Sequence, residues 1–196
     1  SIVGPTVAFR SLAGPEKIHR PLRMAQDLAA ETVTFHFEAP LPEGAGTLDF
    51  DYSGRLGHDM AGLYRSEFQG RDGRRQAMAL TQFEAIDARR MLPCWDEPNR
   101  KAVFALTLTV PRRFVVVSNM PPSAETLLDG EAKRRVAFLD TPRMSTYLLA
   151  LAVGEFDSIQ RITAGGKLVR VLTVPGHAER GRFALDVAVR ALDFYE

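Results

Sequence analysis

Thiol chemistry is nearly missing from this chain of 196 residues, which carries a single cysteine, Cys94. That excludes an internal disulfide and a metal site built from clustered cysteines. It fits a reducing compartment, and the opening stretch SIVGPTVAFR lacks a basic region followed by an apolar core, so the cytoplasm is the expected location. Long apolar runs are missing too. The longest, TYLLALAV at 146–153, falls far short of the ~18 residues that span a bilayer and reads as a buried strand. Charge of one sign is not in excess: 25 Lys and Arg stand against 24 Asp and Glu, a net charge of +1. No broad field is available to attract nucleic acid or an anionic membrane. The basic pairs Arg74–Arg75, Arg112–Arg113 and Arg134–Arg135 are scattered and lack interleaved aromatics, so they read as solvated surface. Among the four histidines, His19, His36, His58 and His177, none has a second His at i+4. No helical zinc motif can be assembled from them.

What is present is alternation. Val33, Phe35 and Phe37 alternate with Thr32, Thr34 and His36. Leu48, Phe50 and Tyr52 alternate with Asp49 and Asp51. Phe104, Leu106, Leu108 and Val110 alternate with Ala105, Thr107 and Thr109, and Val136 and Phe138 follow the same rule. A period of two marks half-buried strands. FVVVSN (114–119) and STYLLALAVGEF (145–156) are apolar on both faces, which predicts central or sandwiched strands. KLVRVLTV (167–174) adds another. Turn signals separate these runs at 39–46 and 119–125, and Gly165–Gly166 predicts a hairpin. The expected fold is all-β, an antiparallel sandwich or saddle-shaped sheet.

The pattern changes at Pro175–Gly176. From Ala178 the period is helical, with Phe183, Ala184, Val187, Ala188, Ala191, Leu192 and Tyr195 on one apolar stripe. Arg182, Asp186, Arg190 and Asp193 lie opposite. One helix with that much apolar surface needs something to pack on. The expected organisation is therefore a β domain over 1–175 and, over 176–196, the first helix of an α-helical domain that lies outside this chain.

The most specified stretch is TQFEAIDARRMLPCWDEP (81–98), which crowds Gln, Glu, Asp, Arg, Cys and Trp between two strands. Loops with such chemistry are where function sits on a rigid scaffold. In an extended segment Gln82 and Glu84 point to the same side. On the residues alone, Glu84 is either a functional carboxylate or a turn residue paired with Arg89 or Arg90. Gln82 is either a pocket residue or a buried amide satisfying backbone groups. Pro93 and Pro98 fix the backbone at both ends. Asp96 and Glu97 are expected to cap a turn or pair with Arg89, Arg90 or Arg100, and Trp95 to anchor packing. Cys94 has no neighbouring His and reads as an inert buried thiol. Tyr64 and Arg65, in MAGLYRS (60–66), are expected on opposite faces of a strand.

This segment, with FALTLTVP and SNMP downstream, MAGLYRS upstream, and MSTYLLALAVGEF (144–156), resembles the N-terminal β domain of the aminopeptidase N-like zinc metallopeptidases. HAERGRFALDVAVRALDFYE (177–196) resembles the first helix of that family's catalytic domain, and the resemblance runs over roughly residues 31–196. The family's earliest strands have no counterpart here. The chain also stops before the G-x-M-E-N loop and the H-E-x-x-H helix with its distal Glu. The resemblance implies peptide substrates held by their free N-terminus, with Glu84 binding the α-ammonium and Gln82 lining the pocket for the first side chain. It further implies zinc in the parent protein, with no metal ligand and no catalytic residue in this chain, and the parent's own catalytic domain as partner. The competing expectation is non-enzymatic: the scaffold domain of an inactive homologue, or a β-sandwich binding module.

Overall fold

The computed structural model describes residues 8–12, 17–70, 72–128, 130 and 132–196. Expectations about the start of the chain fall on residues 1–7, outside the described residues. The fold divides into two units, 1–55 and 56–196.

In the first unit the strands are β1 (Ala8–Ser11), β2 (Ile18–His19), β3 (Arg23–Asp27), β4 (Thr32–His36) and β5 (Gly46–Asp49). β1 runs antiparallel between β2 and β5, and β3 and β4 form a hairpin with Met24 opposite Phe35. Its turn is nucleated by Asp27, whose carboxylate accepts the N–H groups of Ala29 and Ala30 at 2.9 and 3.0 Å, as Asp does where the chain reverses. Val33, Phe35 and Phe37 are half-buried between exposed neighbours, as their alternation predicts. β5, in contrast, stops at Asp49. Leu48 is exposed, and the Phe50 ring packs instead on Phe35 and Tyr52, each at 6.2 Å.

The second unit contains β6 (Gly62–Gln69), β7 (Arg75–Gln82), β8 (Lys101–Ala102), β9 (Thr107–Pro111), β10 (Val115–Ser118), β11 (Pro122–Leu127), β12 (Lys133–Phe138), β13 (Met144–Ser145), β14 (Leu151–Gly154), β15 (Asp157–Ile162), β16 (Leu168–Thr173) and the helix α1 (Arg182–Tyr195). Every ladder between these strands is antiparallel, and the orders are β10-β14-β7-β6, β11-β12-β9, β13-β8 and β15-β16. The first two sheets meet through Val116 and Leu151 on one side and Val110, Val136 and Phe138 on the other. The expected class, an all-β domain followed by one helix, is the architecture found.

Two local expectations are corrected. The 145–156 run is not one strand. Ser145 ends β13, a 3-10 turn occupies Thr146–Leu148, and β14 begins only at Leu151. Polar side chains make the break: Asn119 donates to the Leu148 carbonyl and accepts from the Ala150 N–H, both at 2.8 Å. β14 itself lies inside its ladder, as predicted, but β10 is outermost and is buried only by Val116 facing the core.

The hairpin at Gly165–Gly166 forms as predicted, with Gly166 at φ +82°. α1 lies on that hairpin by a face other than the apolar stripe read from the sequence. Leu185 and Val189, a four-residue step, are its buried residues, whereas Phe183 and Tyr195 from the predicted stripe are 80% and 83% exposed. The polar residues decide the rotation. Asp186 pairs with Arg161 at 2.6 Å and Asp193 accepts the Ala164 N–H at 2.8 Å, both from the hairpin. The close approach needs Gly181, where a Cβ would stand 3.0 Å from Val171.

Candidate functional site

β7 brings the specified segment into place. Its ladder with β6 continues as far as Gln82, opposite Gly62. Its ladder with β14 closes earlier, at Leu80 and Ala152. One residue on, a side chain takes over: the Leu151 N–H donates to the Thr81 hydroxyl oxygen at 2.8 Å, and that hydroxyl faces the Leu151 carbonyl at 3.4 Å. The chain thus leaves the sheet at a fixed point.

The next three residues alternate. Gln82 is exposed, Phe83 is 2% exposed, and Glu84 is exposed. Phe83 packs with Ala88 and Leu149, ringed by Met91, Leu92, Phe104, Met144 and Tyr147. Gln82 and Glu84 thus stand exposed on either side of one buried aromatic ring. The Glu84–Ala85 peptide is cis. The chain then turns back: Asp87 N–H donates to the Phe83 carbonyl at 2.9 Å, and a 3-10 turn over Ala88–Arg90 follows.

Asp96 locks this turn. Its carboxylate is buried, with its side chain 2% exposed. One oxygen accepts from the Arg89 backbone N–H and from Arg89 Nε, both at 3.0 Å. The other accepts from the Thr146 hydroxyl at 3.0 Å. Arg89 Nη2 also donates to the Asp96 carbonyl at 3.3 Å. The expected pairing of Asp96 with Arg89 is present. Its Thr146 partner, 50 residues away in sequence, carried no sequence signal. Ser145 donates to the Pro98 carbonyl and closes the same junction.

Arg90 braces the other side. It pairs with Asp59 at 2.6 Å and with Asp87 at 2.9 Å, and its hydrogen bond holds the Asp59 carboxyl below its usual range. Gly62 sits under it at φ +70°, where a Cβ would stand 2.4 Å from that of Arg90. Arg89 and Arg90 are thus engaged with Asp96, Asp59 and Asp87. Among the described residues neither Gln82 nor Glu84 has a side-chain hydrogen bond or ion pair.

Cys94 lies half-buried at the edge of the Phe83 cluster. Burial, aided by the nearby Asp96 charge and opposed by Arg89, pushes its thiol up to about 11. That is an unreactive thiol at neutral pH. Trp95 is not the packing anchor expected of it, being 77% exposed; Phe83 fills that role. Tyr64 is half-buried beside Leu80 and Leu151 while Arg65 points outward to Glu67 at 3.0 Å, on opposite faces as predicted.

Among the described residues no three of His, Cys, Asp and Glu stand close enough to share a metal ion. No helix among the described residues is long and apolar enough to cross a membrane.

The profile of the peptidase M1 N-terminal domain matches residues 11–148. The chain belongs to that family. Over its whole length it is 44% identical to Aminopeptidase M1-B of Oryza sativa subsp. japonica, covering 21% of that protein. It is 46% identical over 166 residues to Aminopeptidase M1-C of the same plant, 85% of this chain and 19% of the relative. To Aminopeptidase N of Acetobacter pasteurianus it is 44% identical over 172 residues, 88% of this chain and 48% of the relative. The chain thus spans about a fifth of the rice aminopeptidases and about half of the bacterial one. These matches fix what kind of domain this is, the N-terminal domain of an aminopeptidase N-like M1 peptidase.

Proposed function

We propose that this M1 N-terminal domain is the substrate-anchoring part of a zinc-dependent aminopeptidase. Glu84 takes the free α-ammonium of a peptide, and Gln82 lines the pocket for the first side chain. The observation that supports this reading is the pattern about Phe83: two exposed polar side chains, with no side-chain hydrogen bond or ion pair among the described residues, flank a buried ring where the chain enters a braced turn.

The chemistry follows from what an exopeptidase must recognise. The end of a peptide differs from its interior by a cation whose pKa is about 8. A fixed carboxylate binds that cation through a charge-assisted hydrogen bond. The bond also sets register, because a chain held by its end presents only its first peptide bond at a fixed distance. Gln82, two residues away on the same side, can both donate and accept. It therefore suits the rim of a side-chain pocket that discriminates by shape and polarity. The zinc is held by residues outside this chain, and its part is to polarise the attacking water. The side chains here bind and orient.

The test is Glu84→Ala in the full-length protein that carries this chain. Removing one partner of an enclosed charge pair costs about 2–5 kcal/mol, which is a loss of roughly 30-fold to several thousandfold in kcat/KM. Metal content should stay that of the parent. Discrimination against N-acetylated peptides should fall with it, since acetylation removes the cation the carboxylate reads. Unchanged kinetics with an unchanged preference for a free amine would overturn the assignment.

A further inference from the structure

We infer that Asp96 is a positioning residue for the amine anchor, acting on Glu84 through the turn it locks. The inference rests on the anchoring role proposed for Glu84.

Among the described residues Glu84 has no side-chain hydrogen bond or ion pair that fixes it. Its place is set by where the chain leaves β7 and by where the turn returns. The exit is fixed by Thr81 and by the burial of Phe83. The return is fixed at Asp96, which gathers three donors from two separate parts of the chain. Arg89 supplies its backbone N–H and its guanidinium from within the turn, and Thr146 supplies its hydroxyl from the segment leading into β14. β14 is the strand on which Thr81 is hooked, through Leu151. The turn bearing Glu84 therefore closes a ring: β7, turn, Asp96, Thr146, β14, and back to β7.

Packing alone does not call for a carboxylate in that place. A buried charge is tolerated only when hydrogen-bonded and paired, and an apolar residue of similar size is often as good for stability. What the carboxylate adds is direction. Its two oxygens tie the turn's backbone to the 3-10 turn that leads into β14, in one orientation. An anchor must hold an ammonium within a few tenths of an ångström of one site, and catalytic geometry is lost steeply when a binding group is displaced.

A merely structural Asp96 and a positioning Asp96 differ in how they combine with Glu84. The experiment is a double-mutant cycle in the full-length protein, with Asp96→Asn and Glu84→Ala separately and together, reading kcat/KM on an aminoacyl substrate and the melting temperature. Positioning predicts that Asp96→Asn lowers kcat/KM at least about tenfold in the Glu84 background and has almost no further effect once Glu84 is alanine. It also predicts that Asp96→Asn weakens the preference for a free over an acetylated N-terminus. A loss of equal size in both backgrounds, or no loss where Glu84→Ala is itself harmful, overturns the inference and leaves the anchor standing. If Glu84→Ala alone changes nothing, the anchor reading fails and this one with it. Should Asp96→Asn not fold, Thr146→Val, which removes only the hydroxyl on the second carboxylate oxygen, is read in the same cycle with the same criteria.

Discussion

Replacing Phe83 by alanine would remove the buried ring that lies between the exposed Gln82 and Glu84. Phe83 is 2% exposed and lies among Ala88, Leu149, Met91, Leu92 and Tyr147. Truncating a buried Phe costs about 3–5 kcal/mol, the transfer of the ring plus the cavity it leaves. The neighbours here are poorly placed to collapse: Ala88 has no side chain to extend, and Leu149 is fixed by its N–H to the Thr146 carbonyl at 3.0 Å. The upper part of that range is therefore expected. The loss should appear as local opening of the turn, whose bonds from Asp87 to Phe83 and from Met91 and Leu92 to Ala88 are 2.9, 2.9 and 3.0 Å. Amide hydrogen exchange over residues 83–92 reads that opening. Protection should fall by roughly 10³ to several times 10³, since about 1.4 kcal/mol is tenfold. The β11–β12 ladder, remote in sequence, should hardly change. A fall of less than about tenfold, or an equal fall throughout unit 56–196, would refute the account of Phe83 as the local pivot.

Two further expectations concern the same neighbourhood. Gly62→Ala places a Cβ at φ +70° and within 2.4 Å of the Arg90 Cβ; a loss of more than about 1 kcal/mol is expected, or ~2–4 °C in Tm for a domain of this size, and an unchanged Tm would show that Arg90 moves aside freely. Cys94, with its thiol at about 11 against an ordinary 9.0, should alkylate far more slowly at pH 8 in the folded protein than after denaturation. Because the folded value is raised, the corresponding stability is full below about pH 9 and is lost as pH rises through about 11; rapid labelling at pH 8 under native conditions would contradict the burial assigned to it.

The parts of this molecule that were legible in the sequence are those decided within a few residues. Val33 and Phe35, or Val136 and Phe138, reveal a strand because side-chain direction has a period of two. Gly165–Gly166 reveals a hairpin because the turn needs a positive φ. What was not legible depends on partners far away. The carboxylate of Asp96 and the hydroxyl of Thr146 meet only after folding. Asn119 breaks an apolar run that reads as a single strand. The helix is apolar on more than one side, so its sequence alone does not choose between the Phe183 and the Leu185 faces; Arg161 and Ala164, on a different element, do. Trp95 looks like an anchor by size, yet the anchoring place is filled by Phe83, twelve residues earlier.

The parity about Phe83 also limits how such a site can change over evolutionary time. The position of Gln82 is pinned by the β6–β7 register and the far end of the turn by Asp96. Inserting one residue between the end of β7 and Phe83 would turn the ring away from its cluster and bring a polar side chain towards the core. The segment can therefore be edited by substitution but not by slippage. Variation in what it recognises is confined to exchanging side chains at fixed places, and its length should be among the least variable features of the domain.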